Sequence, residues 1–154
     1  ILSSTAMIAG QQATDGARAT TIAEGLEKAA SAMMMFYADN AENIAVNGIV
    51  ASATDGKISK ADLLAGANAY LKAADALVSE TATAGKYAIQ VVGTAPAQEW
   101  WVVYKLPDTD IAGVGPILKN KANRMGLMTD SSSGEAYDGE SDTVAMKVRG
   151  TASE

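Results

Sequence analysis

Between Ile1 and Asp39 the apolar positions recur at helical spacing rather than in alternation. Ile22, Leu26, Ala29, Met33 and Tyr37 fall on one stripe, with alanine-rich filling and no proline. Glu24 and Lys28 stand four apart off that stripe, a pairing that supports a helix. The pattern predicts one helix from Ile1 to about Asp39, roughly 58 Å long at ~1.5 Å per residue. That exceeds what a domain of this size covers, so one end is expected to project. Gly10, Gly16 and Gly25 oppose the helix by about 1 kcal/mol each relative to alanine, and bends are expected near Gly10 or Gly16.

Asn40 to Thr54 is polar and small, with Ile44, Val46, Ile49 and Val50 scattered through it. It reads as a connection with a short strand or irregular turns. A second helix is expected from Lys60 to about Val78, with Leu63, Leu64, Ala67, Tyr70, Leu71, Ala74 and Leu77 as its apolar face. Ser59 stands at its N-cap position, with Asp62 placed to complete a capping box.

The period then changes to two. Tyr87, Ile89 and Val91 alternate with their neighbours, as do Trp100, Val102 and Tyr104, and then Val144, Met146 and Val148. Three strands are predicted, with Gly93 to Glu99 as a hairpin loop between the first two. Pro116 to Met125 reads as a short helix, since proline suits a first helical position, Gly126 suits the residue past the end, and Arg124 complements the dipole. Thr129 to Asp142 is an acidic, Ser/Gly-rich loop. The fold class expected is α+β: a long N-terminal helix on a small antiparallel sheet of three or four strands. A second helix precedes the sheet and a short one is inserted in it. The chain is read as one domain, with residues 1–39 as a helical stem and 40–154 as a globular head.

Composition narrows the chemistry. The chain of 154 residues is 48% hydrophobic but only 5% aromatic, so the core relies on close helix packing more than on rings. A net charge of −6 with no basic cluster argues against nucleic acid as the main partner. Cysteine and histidine are both absent, which removes disulfides, thiol catalysis, Ser-His-Asp catalysis and the commonest zinc ligands. No run of ~20 apolar residues is present to span a bilayer.

Three phrases in order carry a resemblance. Ile1-Leu2-Ser3-Ser4-Thr5-Ala6-Met7-Ile8 is like the end of an apolar membrane segment. Gln11, Gln12, Ala17 and Arg18 follow as its polar helical continuation, and Phe36-Tyr37-Ala38-Asp39-Asn40 is like a helix end. Over about its first 40 residues the chain resembles type IV pilins and the related pseudopilins of type II secretion. The resemblance implies a filament subunit assembling as a homo-polymer, with a pilus or secretion machinery as its other partner. It implies a place on the bacterial surface, or in the periplasm for a pseudopilin, for attachment or motility. It also implies a membrane segment ahead of Ile1 as the only contact with the bilayer. Ile1, Leu2, Met7, Ile8, Ile22, Leu26, Met33 and Tyr37 are the expected assembly-helix residues. The chain departs from the family in having no kink proline near Ile8 or Ala9 and no cysteines to close its C-terminal loop. That loop must be held by hydrogen bonds, packing or a metal.

The remaining candidates each have a plain reading. Asp130, Glu135, Asp138, Glu140 and Asp142 crowd one loop; calcium is the cation such a cluster would take, and a solvated acidic loop is the alternative. Asp55-Gly56 looks like part of a calcium loop, yet Ala51 and Ala53 stand where ligands are needed, so a turn into the Ser59 cap is expected. Trp100 and Trp101 are strand neighbours and should face opposite ways, one into the core and one outward or under a loop. A surface contact or ligand groove at one of them would make the chain an adhesive module. Of Met33, Met34 and Met35 only the first belongs to the stripe. Asp108 and Asp110 read as a turn after a strand rather than paired acid/base carboxylates. No enzyme activity and no bound cofactor are expected.

Overall fold

The computed structural model describes residues 2–52, 54–78, 81–132 and 134–149, with side chains from Ala13 onward except those of Ala74 and Arg149. Its longest element is α1, Leu2–Asp39, one helix of 38 residues that continues through Gly10 and Gly16. Ala19, Ile22, Ala23, Leu26, Ala29, Ala32 and Met33 are buried, at spacings of three and four that keep them on one side. Most are alanines, so the helix backbone approaches the sheet closely. Gly25 takes this furthest: a Cβ there would overlap the ring and hydroxyl of Tyr87. The Tyr87 hydroxyl instead donates to the Ile22 carbonyl at 3.3 Å.

The 40–54 connection contains a helix that its composition did not announce. α2, Ala41–Asn47, buries Ile44 and stops at Gly48, whose φ is 64° and whose N–H donates to the Ile44 carbonyl. One buried residue leaves no helical stripe to read, which is why the turn was invisible in the sequence. β1, Ile49–Val50, then pairs in parallel with β2, Ile58–Ser59.

α3 begins at Lys60, and its capping box is formed. Ser59 Oγ accepts from the Asp62 N–H at 3.1 Å, and Asp62 Oδ2 accepts from the Ser59 N–H at 3.0 Å. The helix ends at Asn68, not near Val78; a single 3-10 turn spans Ala73–Asp75 and β3 runs over Leu77–Val78. The Asn68 amide explains the break. It donates to the Leu77 carbonyl at 3.0 Å and its oxygen accepts from the Leu77 N–H at 2.7 Å, standing in for a neighbouring strand. Strand pairing thereby overrides the helical spacing of Leu71, Ala74 and Leu77.

The main sheet has five strands in the order β3, β4, β5, β7, β6. β4 is Tyr87–Thr94, β5 Ala97–Lys105, β6 Leu127–Met128 and β7 Thr143–Arg149. All neighbours are antiparallel except β3 with β4, so the sheet is mixed and larger than the antiparallel one expected. The predicted 93–99 loop shrinks to Ala95-Pro96, whose peptide is cis, because pairing continues to Thr94 opposite Ala97. Polar Gln98 and Glu99 are tolerated in a strand because both have partners. The Gln98 amide clasps the N–H and carbonyl of Ile49, each at 2.9 Å. Glu99 lies 3.4 Å from the Lys147 ammonium.

The inserted helix, α4, runs Asp108–Met125 and so starts well before Pro116. Pro107 takes the N-cap position, and Asp108 and Asp110 lie in the first turn, where carboxylates favour the positive end of the dipole. Pro116 forgoes one N–H bond inside the helix; the carbonyl that would accept it belongs to Ala112, an exposed residue. Gly126 ends α4 in the left-handed conformation at φ 72°, as its position suggested.

Candidate functional site

The expected assembly helix divides. Ile1 lies outside the described residues, and Leu2, Met7 and Ile8 belong to α1 while their side chains lie outside the described ones. Ile22, Leu26 and Met33 are buried within the head, and Tyr37 is half-buried with its ring edge-on to Trp100 at 5.9 Å. Ile22, Leu26 and Met33 are thus used in the core of the same chain, and Tyr37 partly so. The apolar inner face of the sheet supplies their cover within the same chain. The face of α1 turned to solvent carries instead Ala17, Thr21, Glu24, Lys28, Met34 and Met35.

A charged contact ties α1 to α4. Arg18 Nη1 donates to Asp110 Oδ1 at 2.5 Å; the carboxylate is buried and the guanidinium about half exposed. Asp110 thus stands in the first turn of a helix, paired with Arg18, rather than in the turn expected after a strand. Close by, Gly113 leaves room for the Asp15 carboxylate where a Cβ would collide. A groove of about 590 Å³ runs beside this contact, lined by Thr14, Arg18, Thr21, Tyr104 and Pro107.

In the acidic loop the carboxylates are engaged locally. Asp130 Oδ1 accepts from the N–H and hydroxyl of Ser132 at 2.7 and 2.9 Å. Asp138 Oδ1 accepts from the Glu140 and Ser141 N–H groups, both at 2.8 Å, and these bonds hold its carboxyl below the usual range. Asp142 accepts from the Thr143 hydroxyl at 3.1 Å and faces the Lys105 ammonium at 3.8 Å, while Glu140 is exposed. Among the described residues no group of three or more acidic side chains is gathered in a position to hold a metal ion. The loop is held by packing around Tyr137. Its hydroxyl donates to the Ser141 carbonyl at 2.7 Å and its N–H to the Leu127 carbonyl at 3.0 Å. Burial, aided by the charges of Asp138 and Asp142, pushes the Tyr137 hydroxyl up to about 12. Gly115 lets the Gly139 backbone lie directly against α4.

The tryptophans part as the strand period requires, but neither reaches the surface. Trp100 is 1% exposed and joins the main core; Trp101 is 4% exposed on the other face, with Val103 and Ala145. The expected surface contact at this pair is therefore replaced by two buried rings, the outer one covered by the chain itself. At Asp55-Gly56 the backbone turns with Gly56 at φ 78°, and the Gly56 carbonyl accepts from Asn43 at 2.7 Å, on the way to the Ser59 cap.

Sequence reasoning missed the cleft made where α3 stops. Tyr70 swings out there and donates to Asp39 at 2.6 Å, and this bond raises its hydroxyl above the usual range. With Leu71, Lys72 and Asp75 it faces Lys28, Ala32 and Met35 of α1 across about 570 Å³. Only the break at Asn68 creates this space, and nothing in the local spacing signals the break. Comparison with known protein families, curated proteins and solved structures returned no match.

Proposed function

We propose that this chain is a structural filament subunit of the type IV pilin kind, built to polymerise rather than to catalyse. The observation that carries the reading is α1 itself. Its 38 residues extend roughly 57 Å at ~1.5 Å per residue. Among the described side chains, contacts with the head run from Asp15, beside Gly113, to Tyr37, edge-on to Trp100. A helix serving only as the head's spine has no need of the preceding length. The apolar sequence around Ile1, Leu2, Met7 and Ile8 suits shelter among copies of the same helix. Identical subunits joined by heterologous contacts that do not close make a helical filament. In this reading the head covers the outside, and the partners are sister subunits and the assembly machinery at the bacterial surface.

Immunogold microscopy tests it, using an antibody to residues 134–142 on filaments sheared from the source bacterium. Decorated filaments that vanish when the gene is deleted support the proposal. Label confined to the periplasm selects the pseudopilin form of the same reading. Undecorated filaments with label dispersed in the cytoplasm overturn both.

A further inference from the structure

Met33, Met34 and Met35 are consecutive in α1, so helix geometry turns them about 100° apart. Met33 is 0% exposed in the core, whereas Met34 and Met35 are 40% and 49% exposed. The two outer side chains line a shallow groove of about 460 Å³ with Ala30, Ser31, Ala38 and Lys147. The chain has no cysteine, so its thioethers are its softest oxidisable groups, and accessibility decides which of them react. Packing does not account for this pair, because it is Met33 that fills the core.

We propose that Met34 and Met35 form a reversible oxidation site, taking hydroperoxide as oxidant and a dithiol-dependent sulfoxide reductase as the restoring partner. A sulfur lone pair attacks the terminal peroxide oxygen, the O–O bond breaks, and a sulfoxide forms as the hydroxyl proton passes to the departing oxygen, which leaves as water, or as an alcohol from an organic hydroperoxide. The sulfur loses the two electrons that the peroxide gains. In the return step a dithiol supplies two electrons and becomes a disulfide, and the oxygen departs as water. Oxidation turns an apolar ledge into a polar one carrying new acceptor oxygens. The ledge adjoins Lys147, whose ammonium lies 3.4 Å from Glu99. The core is untouched because Met33 faces the other way.

Peptide mass spectrometry of the folded chain under graded hydrogen peroxide tests it. Met34 and Met35 should oxidise at least about tenfold faster than Met33, in line with exposure. The doubly oxidised protein should melt within about 3 °C of the untreated one, since neither side chain belongs to the buried core. Adding a methionine sulfoxide reductase with dithiothreitol should return both masses. A smaller rate ratio, a larger melting shift, or sulfoxides that the reductase cannot reach on the folded chain would each overturn the proposal. The M34L/M35L variant keeps the helix and provides the control, in which the fast phase must disappear.

Discussion

Trp100 and Trp101 are chain neighbours with the same side chain, yet they are buried by different means. Trp100 lies under α1, inside the core cluster that includes Leu26, Met33, Val102 and Val144, with Tyr37 edge-on to its ring. Trp101 lies on the opposite face in a small cluster with Val103 and Ala145, bordered by partly buried Ala82 and Met128. Its indole N–H donates to Glu99 at 3.2 Å. The loop after β6 crosses this outer face, where the Ser131 hydroxyl donates to the Gln90 side chain at 2.8 Å. A helix shields the inner face with a continuous apolar layer, whereas a loop shields the outer face with a thin and partly polar one. Equal burial therefore does not mean equal contribution.

The largest expected effect separates the two rings directly. Trp100→Ala should cost about 3–5 kcal/mol, the range for removing a large aromatic from a close-packed core. Trp101→Ala should cost only about 1.5–3 kcal/mol, because the loop can settle into part of the space. Urea unfolding followed by far-UV circular dichroism measures both. Equal costs, or a larger cost at Trp101, would mean that the loop is as rigid a cover as the helix.

Next comes the closeness of helix and sheet on the inner face. Gly25→Ala places a methyl where Tyr87 already sits and should destabilise by about 1–3 kcal/mol through overpacking. Gly16→Ala meets nothing within 4 Å in the same helix and should stabilise by up to about 1 kcal/mol. Opposite signs from one substitution type in one helix would confirm that contact with Tyr87, not helix propensity, requires the glycine at 25.

What could be read beforehand follows the same division. The stripe from Ile22 to Tyr37, the Ser59 cap and the alternation of Trp100 to Tyr104 are local periodic signals, and the structure carries all three. The misplacements arose where a distant residue decided the outcome. Asn68 ends α3 by bonding Leu77, Gln98 holds Ile49, and Arg18 draws Asp110 into the first turn of α4. Each is a polar side chain pairing with backbone or charge that apolar spacing does not report, nine residues on at Asn68 and far along the chain at Gln98 and Arg18. The candidate site was legible as a long helix, but not as one whose Ile22, Leu26 and Met33 are taken up by the head's own core.

Alkaline pH probes two buried hydroxyls of the main core at once. Burial raises the Tyr87 hydroxyl far above its ordinary value, with Tyr104 and Asp75 adding to the effect, and raises Tyr137 to about 12. The folded chain thus holds these protons more tightly than the unfolded one. Their contribution is complete below the ordinary tyrosine value of about 10 and is lost as pH rises through the folded values. Stability should decline above about pH 10 with a slope of up to about 1.4 kcal/mol per pH unit for each such tyrosine. Urea midpoints taken from pH 8 upward, alongside absorbance at 295 nm, give the measurement. A flat profile through pH 11 would mean that water reaches these hydroxyls.

The smallest effect tests how the outer cover is pinned. Ser131→Ala removes the hydroxyl that reaches Gln90, and both groups are only partly buried, so the cost should be near about 0.5 kcal/mol. The informative readout is access rather than stability. In a Trp100→Phe background the remaining indole fluorescence belongs to Trp101, and acrylamide should quench it more strongly once Ser131 is alanine. The same substitution should leave Trp100 unchanged when Trp101 is Phe instead, because its cover is α1. Unchanged quenching at Trp101 would shift the pinning to Tyr137 and the Met128–Ala136 bridge, which fasten the same loop at its base.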